Sequence, residues 1–229
     1  MDHIQISHLI TKEFHVSEAI KALRTNLMFS GKETRAIGLT SYSDSEGKTT
    51  ISFQLAASLA QTGKRVLLLD ADLRRSVLTS YLHVKGRPNG LSHYLSGLEN
   101  ASDLLHGTDI PGMYILFAGA RVPNSSELLS SESFAALIPA LKESFDYIIV
   151  DTAPLGQVID CAVIAPVLDG VLIVVDATAN SSRLVSRVKS QIEKSGGRIL
   201  GGVLNRVNPK AHHSAYNKYY GGKYGYSEK

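Results

Sequence analysis

The stretch that decides the fold is Ala36–Ile51, with the sequence AIGLTSYSDSEGKTTI. An apolar run typical of a buried strand passes into a loop of small polar residues, and Gly47-Lys48-Thr49-Thr50 then begins a helix. This order matches the second half of the phosphate-binding pattern GxxxxGK[ST]. In such a loop the peptide N–H groups and the helix N-terminus bind anions. The lysine contacts the β- and γ-phosphates, and the threonine hydroxyl is offered to Mg²⁺.

The first glycine of that pattern is replaced here by Tyr42. Taken alone, a Gly-Lys-Thr tripeptide also fits an ordinary surface lysine at the start of a helix. The strand before the loop and the helix after it favour phosphate binding over that alternative.

Two further apolar segments end in aspartates. VLLLDAD (66–72) ends in Asp70 and Asp72, and YIIVD (147–151) ends in Asp151. Because ligands gather at the carboxyl ends of strands in an α/β sheet, we expect these carboxylates beside the phosphate loop. Oxygen ligands of this kind suit Mg²⁺ bound to a nucleotide. The alternative, that each aspartate caps the helix after it, is common for one such residue but not for three beside a phosphate loop.

Segments typical of strands and of helices alternate along the chain. The predicted strands are Ala36–Ser41, Arg65–Asp70, Tyr114–Ala118, Tyr147–Asp151, Gly170–Val175 and Ile199–Asn205. The predicted helices are Ser17–Met28, Lys48–Gln61, Ser133–Ser144 and Asn180–Ser195. This alternation predicts an α/β P-loop fold, a mostly parallel sheet with helices on both faces. We assign residues 1–206 to this domain, with 1–16 as an N-terminal arm, and residues 207–229 to a flexible tail.

Composition limits the class of protein further. The chain has 229 residues, of which 44% are hydrophobic, and this excludes global disorder. Its net charge is +3, but the segment from Arg206 onward holds five Lys or Arg and one Glu and is itself +4, so the body is near neutral. A nucleic-acid binder would be more basic. The single cysteine, Cys161, and the absence of a long apolar run predict a cytoplasmic protein without a membrane span.

Several motifs together resemble those of the bacterial tyrosine kinases of capsular and exopolysaccharide synthesis, a P-loop family unrelated to eukaryotic protein kinases. The family's Walker A loop resembles Ser41–Thr50, its second Walker motif Leu67–Arg74, and its Walker B motif Ile148–Pro154, with PNSSELL at 123–129 between them. Its N-terminal ExxRxxR motif and its tyrosine cluster resemble Glu18, Lys21 and Arg24, and Tyr216, Tyr219, Tyr220, Tyr224 and Tyr226. Two departures are Asp44, where members often have proline, and Lys21 in place of arginine.

The resemblance implies a protein-tyrosine autokinase that uses ATP and Mg²⁺. It implies four catalytic residues, Lys48, Asp70, Asp72 and Asp151, with Asp70 as the base for the tyrosine hydroxyl. Thr49, Asp72 and Asp151 would hold the metal. The implied nucleotide-binding residues are Ser43, Asp44, Ser45, Glu46, Gly47, Lys48, Thr49, Thr50 and Asn205. Asn205 suits an adenine contact and a turn equally well, and Arg74 could serve the phosphates or an acid.

The resemblance also implies partners. The tail tyrosines would be phosphorylated in trans within a ring-like homo-oligomer, whose subunit interface would include Glu18, Lys21 and Arg24. A membrane adaptor or co-polymerase of polysaccharide export would activate the kinase and recruit it to the inner face of the plasma membrane. A cognate phosphotyrosine phosphatase would reverse the reaction. Nucleic acid is not an expected partner.

Two other functions fit parts of the sequence. A partition or positioning ATPase of the same P-loop branch would act as a nucleotide-dependent binding switch. Such proteins typically carry a second lysine early in the loop, where this chain has Ser43. A nucleotide-dependent interaction module without turnover is the other possibility. The tyrosine-rich tail, considered by itself, also fits RNA binding or self-association.

Overall fold

The structure, a computed structural model, describes residues 3–178 and 182–207. Within these ranges seven strands form one sheet in the order β3-β4-β2-β5-β1-β6-β7. The strands are β1 (Ala36–Ser41), β2 (Val66–Asp70), β3 (His106–Gly107), β4 (Met113–Leu116), β5 (Tyr147–Asp151), β6 (Gly170–Asp176) and β7 (Ile199–Asn205). Only the β3–β4 pair among them is antiparallel.

Helices cover the sheet on both faces. The α-helices of the described chain are α1 (Phe14–Phe29), α2 (Lys48–Ala60), α3 (Leu78–Tyr81), α4 (Leu91–Leu95), α5 (Ser125–Leu129), α6 (Glu132–Ser144), α7 (Asp160–Ile164) and α8 (Ser182–Lys194). Short 3₁₀ turns occupy Ser7–Leu9, Ala101–Leu104 and Ala165–Val167. One apolar cluster packs α2 against the sheet, and another packs α4 and α6 against the other face. The predicted α/β architecture is therefore confirmed.

The central strands are buried on both faces, and their sequences reflect this. Every residue of β1 and β2 is buried, so both strands are apolar almost throughout instead of alternating. The register places Asp70 at the end of β2 opposite Asp151 at the end of β5, and Leu39 of β1 opposite Asp151 from the other side. The phosphate loop and the aspartates therefore meet at one edge of the sheet.

The N-terminal segment differs from the predicted arm in where it ends and how it packs. The first helix begins at Phe14, not at Ser17. Ahead of it, the peptide N–H of Ile4 donates to the carbonyl of Gly107 over 3.0 Å, and Ile6 is fully buried. The Asp109 carboxylate accepts the peptide N–H groups of Ile6 and Ser7. Residues 3–7 are thus bound to β3 and the residues after it, an edge that the apolar pattern did not reveal, whereas the Leu9 carbonyl accepts a hydrogen bond from Gln54 of α2.

Two further points concern the predicted boundaries. The third predicted strand, Tyr114–Ala118, is the shorter β4, and β3 was not predicted because a two-residue strand has no periodicity to detect. Apart from Val207, the segment 207–229 lies outside the described residues, as does Asn180 at the predicted start of the last helix. No helix within the described ranges is long and apolar enough to cross a membrane.

Candidate active site

The phosphate loop connects the carboxyl end of β1 to the N-terminus of α2. Gly47 precedes the helix with φ 94°, and Ser45 adopts φ 60°, so the loop has a left-handed backbone at alternate residues. Turns of this kind direct peptide N–H groups to one side and form an anion-binding concavity. Lys48 is the first residue of α2 and its side chain is buried at 8% exposure. An ammonium group at a helix N-terminus is disfavoured unless an anion is bound there.

Contacts within the loop and from β7 fix its shape. The buried Glu46 carboxylate accepts the peptide N–H of Ser43 over 2.6 Å and that of Asp176 over 3.3 Å. Asn205 donates its Nδ2 to the Glu46 carbonyl over 2.8 Å. A Cβ atom on Gly47 would lie 2.2 Å from the same Nδ2 and on a left-handed backbone, so a larger residue there would displace Asn205 and strain the loop. Glu46 and Asn205, both predicted to bind nucleotide, thus hold the loop itself in this structure.

Arg206 adds a contact that the sequence did not reveal. It follows β7 with φ 57°, and its Nη2 donates to the Ser45 carbonyl over 2.7 Å. Its Nη1 pairs with the buried carboxylate of Asp176 at the end of β6. The ends of β6 and β7 are therefore both joined to the phosphate loop. No sequence pattern signals such contacts, because the partners lie far apart in the chain.

Asp151 lies beneath the start of α2. Its Oδ2 accepts the hydroxyl of Thr49 over 2.5 Å, and its Oδ1 accepts that of Ser52 over 3.4 Å. Burial raises the pKa of Asp151 to about 6, although the Thr49 bond and the charge of Lys48 act in the opposite direction. The carboxylate therefore lies beside the hydroxyl that the motif offers to Mg²⁺.

Asp70 is the second buried carboxylate. It accepts a hydrogen bond from the Ser76 hydroxyl and one of 3.1 Å from the peptide N–H of Asp72. Burial, and after it the charge of Asp151, raise the pKa of Asp70 well above its usual range. Asp72 itself is half-buried and accepts the peptide N–H groups of Arg74 and Arg75. The three predicted acids are thus brought together at one edge of the sheet.

The donor atoms at this edge fit a nucleotide-bound magnesium ion. In the part of the chain that the structure describes, no group of three or more His, Cys, Asp or Glu side chains is arranged to hold a metal by itself. Mg²⁺ usually keeps several waters and takes few protein ligands beside substrate phosphates. The Thr49 hydroxyl with Asp151, and Asp72 nearby, offer the few oxygens such an ion needs. A cation there would also offset the repulsion that raises the pKa of Asp70.

Arg74 is bound to an acid. Its Nε lies 2.9 Å from Oδ2 of the buried Asp160, and its Nη2 donates to Asp160 Oδ1 and to the Ser126 hydroxyl. The guanidinium therefore connects the segment after β2 to α5 and α7. Of the two interpretations of Arg74, the structure favours the acid partner.

A recess of about 250 Å³ opens beside Asp72. It lies between the phosphate loop and the segment after β5, and its wall is apolar where that segment contributes Ala153, Pro154 and Val158. The remaining lining residues are polar or charged: Asp44, Asp72, Arg74, Arg75 and Gln157. Asp44, the residue at which the loop departs from related sequences, is exposed and faces this recess.

Comparisons with known proteins identify the family. A family model described as an AAA domain matches residues 34–199. The tyrosine-protein kinase CpsD of Streptococcus agalactiae is 41% identical over 91% of this chain and 89% of its own length. The putative tyrosine-protein kinase CapB of Staphylococcus aureus is 33% identical over 90% of each chain. The chain belongs to the bacterial tyrosine kinase family.

Solved structures agree with this assignment. The kinase domain of the Escherichia coli tyrosine kinase ETK is 32% identical and covers 92% of this chain and 80% of its own, with a TM-score of 0.78. The septum site-determining protein MinD of Pyrococcus horikoshii, solved with Mg-ADP, has a TM-score of 0.64 at 26% identity, covering 77% of this chain and 75% of its own. This tyrosine kinase thus shares its sheet and helices with other nucleotide-binding P-loop proteins.

The remaining predicted site residues fall into three groups. Ser43 is half-buried in the loop, while Asp44, Ser45 and Thr50 are exposed. On α1, Lys21 pairs with Glu18 over 2.7 Å at the surface. Arg24 instead donates to the carbonyl and hydroxyl of Ser58 in α2, so it does not face outward with the other two. The five tail tyrosines lie outside the described residues.

Cys161 is a core residue. It is fully buried in the cluster between α7, β6 and α8, and burial raises the pKa of its thiol. A buried thiol with a raised pKa is a poor nucleophile. Cys161 is therefore not a candidate nucleophile.

Proposed function

We propose that the protein transfers the γ-phosphate of Mg-ATP to tyrosine hydroxyls, including those of its own C-terminal segment: Tyr216, Tyr219, Tyr220, Tyr224 and Tyr226. The observation that carries this proposal is the register of the sheet, which sets Asp70 beside Asp151 next to Lys48 and Thr49. Family membership supports the acceptor, since the relatives are named tyrosine-protein kinases.

The loop binds and orients the nucleotide. Its N–H groups and the start of α2 surround the phosphates, and the Lys48 ammonium neutralises charge on the β- and γ-phosphates. Thr49, Asp72 and Asp151 would hold Mg²⁺, which supplies further neutralisation of the phosphate oxygens when bound. Asn205, at the end of β7, borders the base of the nucleotide.

Asp70 accepts the proton of the acceptor tyrosine. A phenol has a pKa of about 10, so its hydroxyl needs a carboxylate within hydrogen-bond distance to become a nucleophile. Because burial and Asp151 raise the pKa of Asp70, its carboxylate is a stronger base than an exposed aspartate. The recess beside Asp72 would receive the tyrosine ring against its apolar wall of Ala153, Pro154 and Val158.

Assembly brings the tail of one copy to the site of another. We place Glu18, Lys21 and Arg24 of α1 at the contact between copies in a ring-like homo-oligomer. Arg24 would act there through α2, to which it is bonded. The basic tail is attracted to the three acids before it is phosphorylated.

The proposal extends to the setting of the reaction. The kinase regulates capsular or exopolysaccharide synthesis from the cytoplasm, where a membrane adaptor of the export machinery activates it at the inner face of the plasma membrane. A phosphotyrosine phosphatase returns it to the unmodified form. The resemblance of its motifs to capsule kinases supports these partners.

Mass spectrometry of the protein after incubation with Mg-ATP tests the function. We expect phosphotyrosine in the segment 216–226 and release of ADP. Release of ADP and inorganic phosphate without phosphotyrosine would instead support the alternative, a partition or positioning ATPase. That alternative has the MinD likeness in its favour.

A further inference from the structure

Arg206 binds the phosphate loop from the end of the sheet, and neither the motifs nor the transfer step uses it. One arm of its guanidinium reaches the Ser45 carbonyl over 2.7 Å, and the other pairs with Asp176. Its backbone neighbour Asn205 bonds the next loop residue, Glu46. Two consecutive residues at the end of β7 therefore bond two consecutive residues of the loop.

The backbone at both ends of this contact is unusual. Within the described ranges only Ser45, His83 and Arg206 have a positive φ without being glycine. Two of these three are hydrogen-bonded to each other. A left-handed conformation costs free energy for a residue with a Cβ atom, and it persists where surrounding contacts hold it. The Arg206 side chain is the contact that holds the Ser45 carbonyl.

An ordinary surface ion pair is the simpler interpretation of Arg206. Its side chain is 52% exposed, and pairs between exposed groups contribute little. However, the Asp176 side chain is only 4% exposed, and it also accepts the peptide N–H and hydroxyl of Thr178. A carboxylate fixed in this way gives the guanidinium one orientation, in which its second arm meets the loop. The pair is therefore placed to orient Ser45.

We propose that Arg206 is a positioning residue for the nucleotide loop. By holding Ser45 left-handed, it keeps the concavity between Ser45 and Gly47 in the shape that receives phosphate. The proposal rests on ATP being the ligand of the loop. Because Arg206 acts on the loop and not on Asp70, its loss raises the KM for ATP and leaves kcat nearly unchanged.

Titration of the full-length protein with Mg-ATP tests this role. We expect Arg206→Gln to raise the Kd for ATP about tenfold, as loss of a charged hydrogen bond predicts. Arg206→Lys keeps the charge but cannot reach both partners, so its Kd should lie between those of the wild type and Arg206→Gln. The matched control is Arg198→Gln at the opposite end of β7, where the guanidinium makes only a 3.4 Å bond to the Ser30 carbonyl. Its Kd should equal that of the wild type.

Repeating the Arg206→Gln measurement in a Ser45→Gly protein distinguishes a positioning role from a general effect on stability. Glycine adopts a positive φ without strain, so Ser45→Gly removes the need for the contact. Arg206→Gln should then raise the Kd much less in Ser45→Gly than in the wild type, while its effect on thermal stability stays the same. An equal rise in both backgrounds, or none in either, overturns the positioning role. A wild type that binds no ATP overturns the proposed function itself, which distinguishes the two failures.

Discussion

On the β6–β7 side of the phosphate loop, the buried carboxylate of Asp176 is paired with Arg206. On the β2–β5 side, the buried carboxylates of Asp70 and Asp151 receive hydrogen bonds only from hydroxyl and peptide groups of the described chain. The first side has its charge balanced within the protein. On the second side burial raises the pKa values of both carboxyl groups, and neighbouring acids raise them further.

The two sides therefore differ in what they need from a ligand: the loop already has its shape, whereas the acids need their charge compensated. The loop side is bonded in the shape that meets phosphate, so nucleotide binding requires little rearrangement there. The acid side is unfavourable until a cation or a proton arrives. In the proposed reaction, Mg-ATP would supply the cation and a tyrosine hydroxyl the proton, so the reactants themselves would relieve this unfavourable arrangement.

The largest expected effect follows from removing the Lys48 ammonium, which lies between the two sides. Lys48→Met should lower the rate of autophosphorylation by a factor on the order of 10³ or more, because it removes the cation from the β- and γ-phosphates. Phosphotyrosine measured by mass spectrometry after a fixed time with Mg-ATP checks this. Lys64→Met is the matched control, since Lys64 pairs with Asp146 at the surface over 3.8 Å. Unreduced phosphotyrosine in a folded Lys48→Met protein would remove the phosphate-loop assignment.

The next prediction distinguishes the roles of Asp70 and Asp151 on the acid side. Asp70→Asn should lower kcat about 100-fold with little change in the Kd for Mg-ATP, because a general base acts on the acceptor and not on the nucleotide. Asp151→Asn should lower kcat and also weaken Mg-ATP binding. Single-turnover kinetics and nucleotide titration give the two quantities separately. Equal losses of nucleotide affinity in both variants would make Asp70 a metal-site residue instead.

A third prediction tests the cost of ionising the buried Asp151 without any reactant. Asp151 has a folded-state pKa of about 6, above its unfolded value of 3.8, so its ionisation destabilises the folded protein as pH rises between these values. In EDTA and without nucleotide, the free energy of unfolding of Asp151→Asn minus that of wild type should therefore increase by about 2 kcal/mol from pH 4 to pH 7. Urea unfolding at several pH values measures this difference. A constant difference would show that ionisation of Asp151 does not destabilise the folded protein.

The smallest expected effect concerns the tail. Its charge of +4 opposes that of the acids, whereas five phosphates would add about −7.5 to −10. Repulsion from the acid side should then expel the tail and shift a higher oligomer toward monomer, by roughly tenfold in the assembly constant. Changing all five tail tyrosines to Phe should keep the oligomer intact in Mg-ATP. Light scattering compares the two, and equal masses for the Phe variant and the phosphorylated wild type would contradict the charge switch.

The sequence predicted the acid side better than the loop side. Asp70 and Asp151 end apolar runs, and parallel strands bring such ends to one edge, so local pattern was enough. Asp176 and Arg206 also lie at strand ends, but their pairing depends on the neighbouring positions of β6 and β7, which no short pattern encodes. Glu46 was assigned to the nucleotide because it lies in the loop that resembles the family's Walker A motif. In the structure its carboxylate is buried and accepts the N–H of Asp176, which belongs to a distant strand.

For the fold, too, features set by local sequence pattern were predicted and features set by distant contacts were not. Long apolar strands and helices were found from their periodicity, whereas β3, the short helices and the packing of residues 3–10 depend on contacts between distant segments. Arg24 is a single residue whose contact could not be predicted from the sequence. The resemblance implied a subunit interface that it shares with Glu18 and Lys21, but its long side chain reaches the neighbouring helix and bonds Ser58.

The contact between Gly47 and Asn205 restricts how this protein can evolve. A side chain at position 47 would have to displace the Asn205 amide, which would break its bond to the Glu46 carbonyl. It would also place a Cβ atom on a backbone with φ 94°, and a smaller residue at position 205 would not remove that strain. Two independent constraints therefore favour glycine at position 47, and one of them comes from a strand near the other end of the chain.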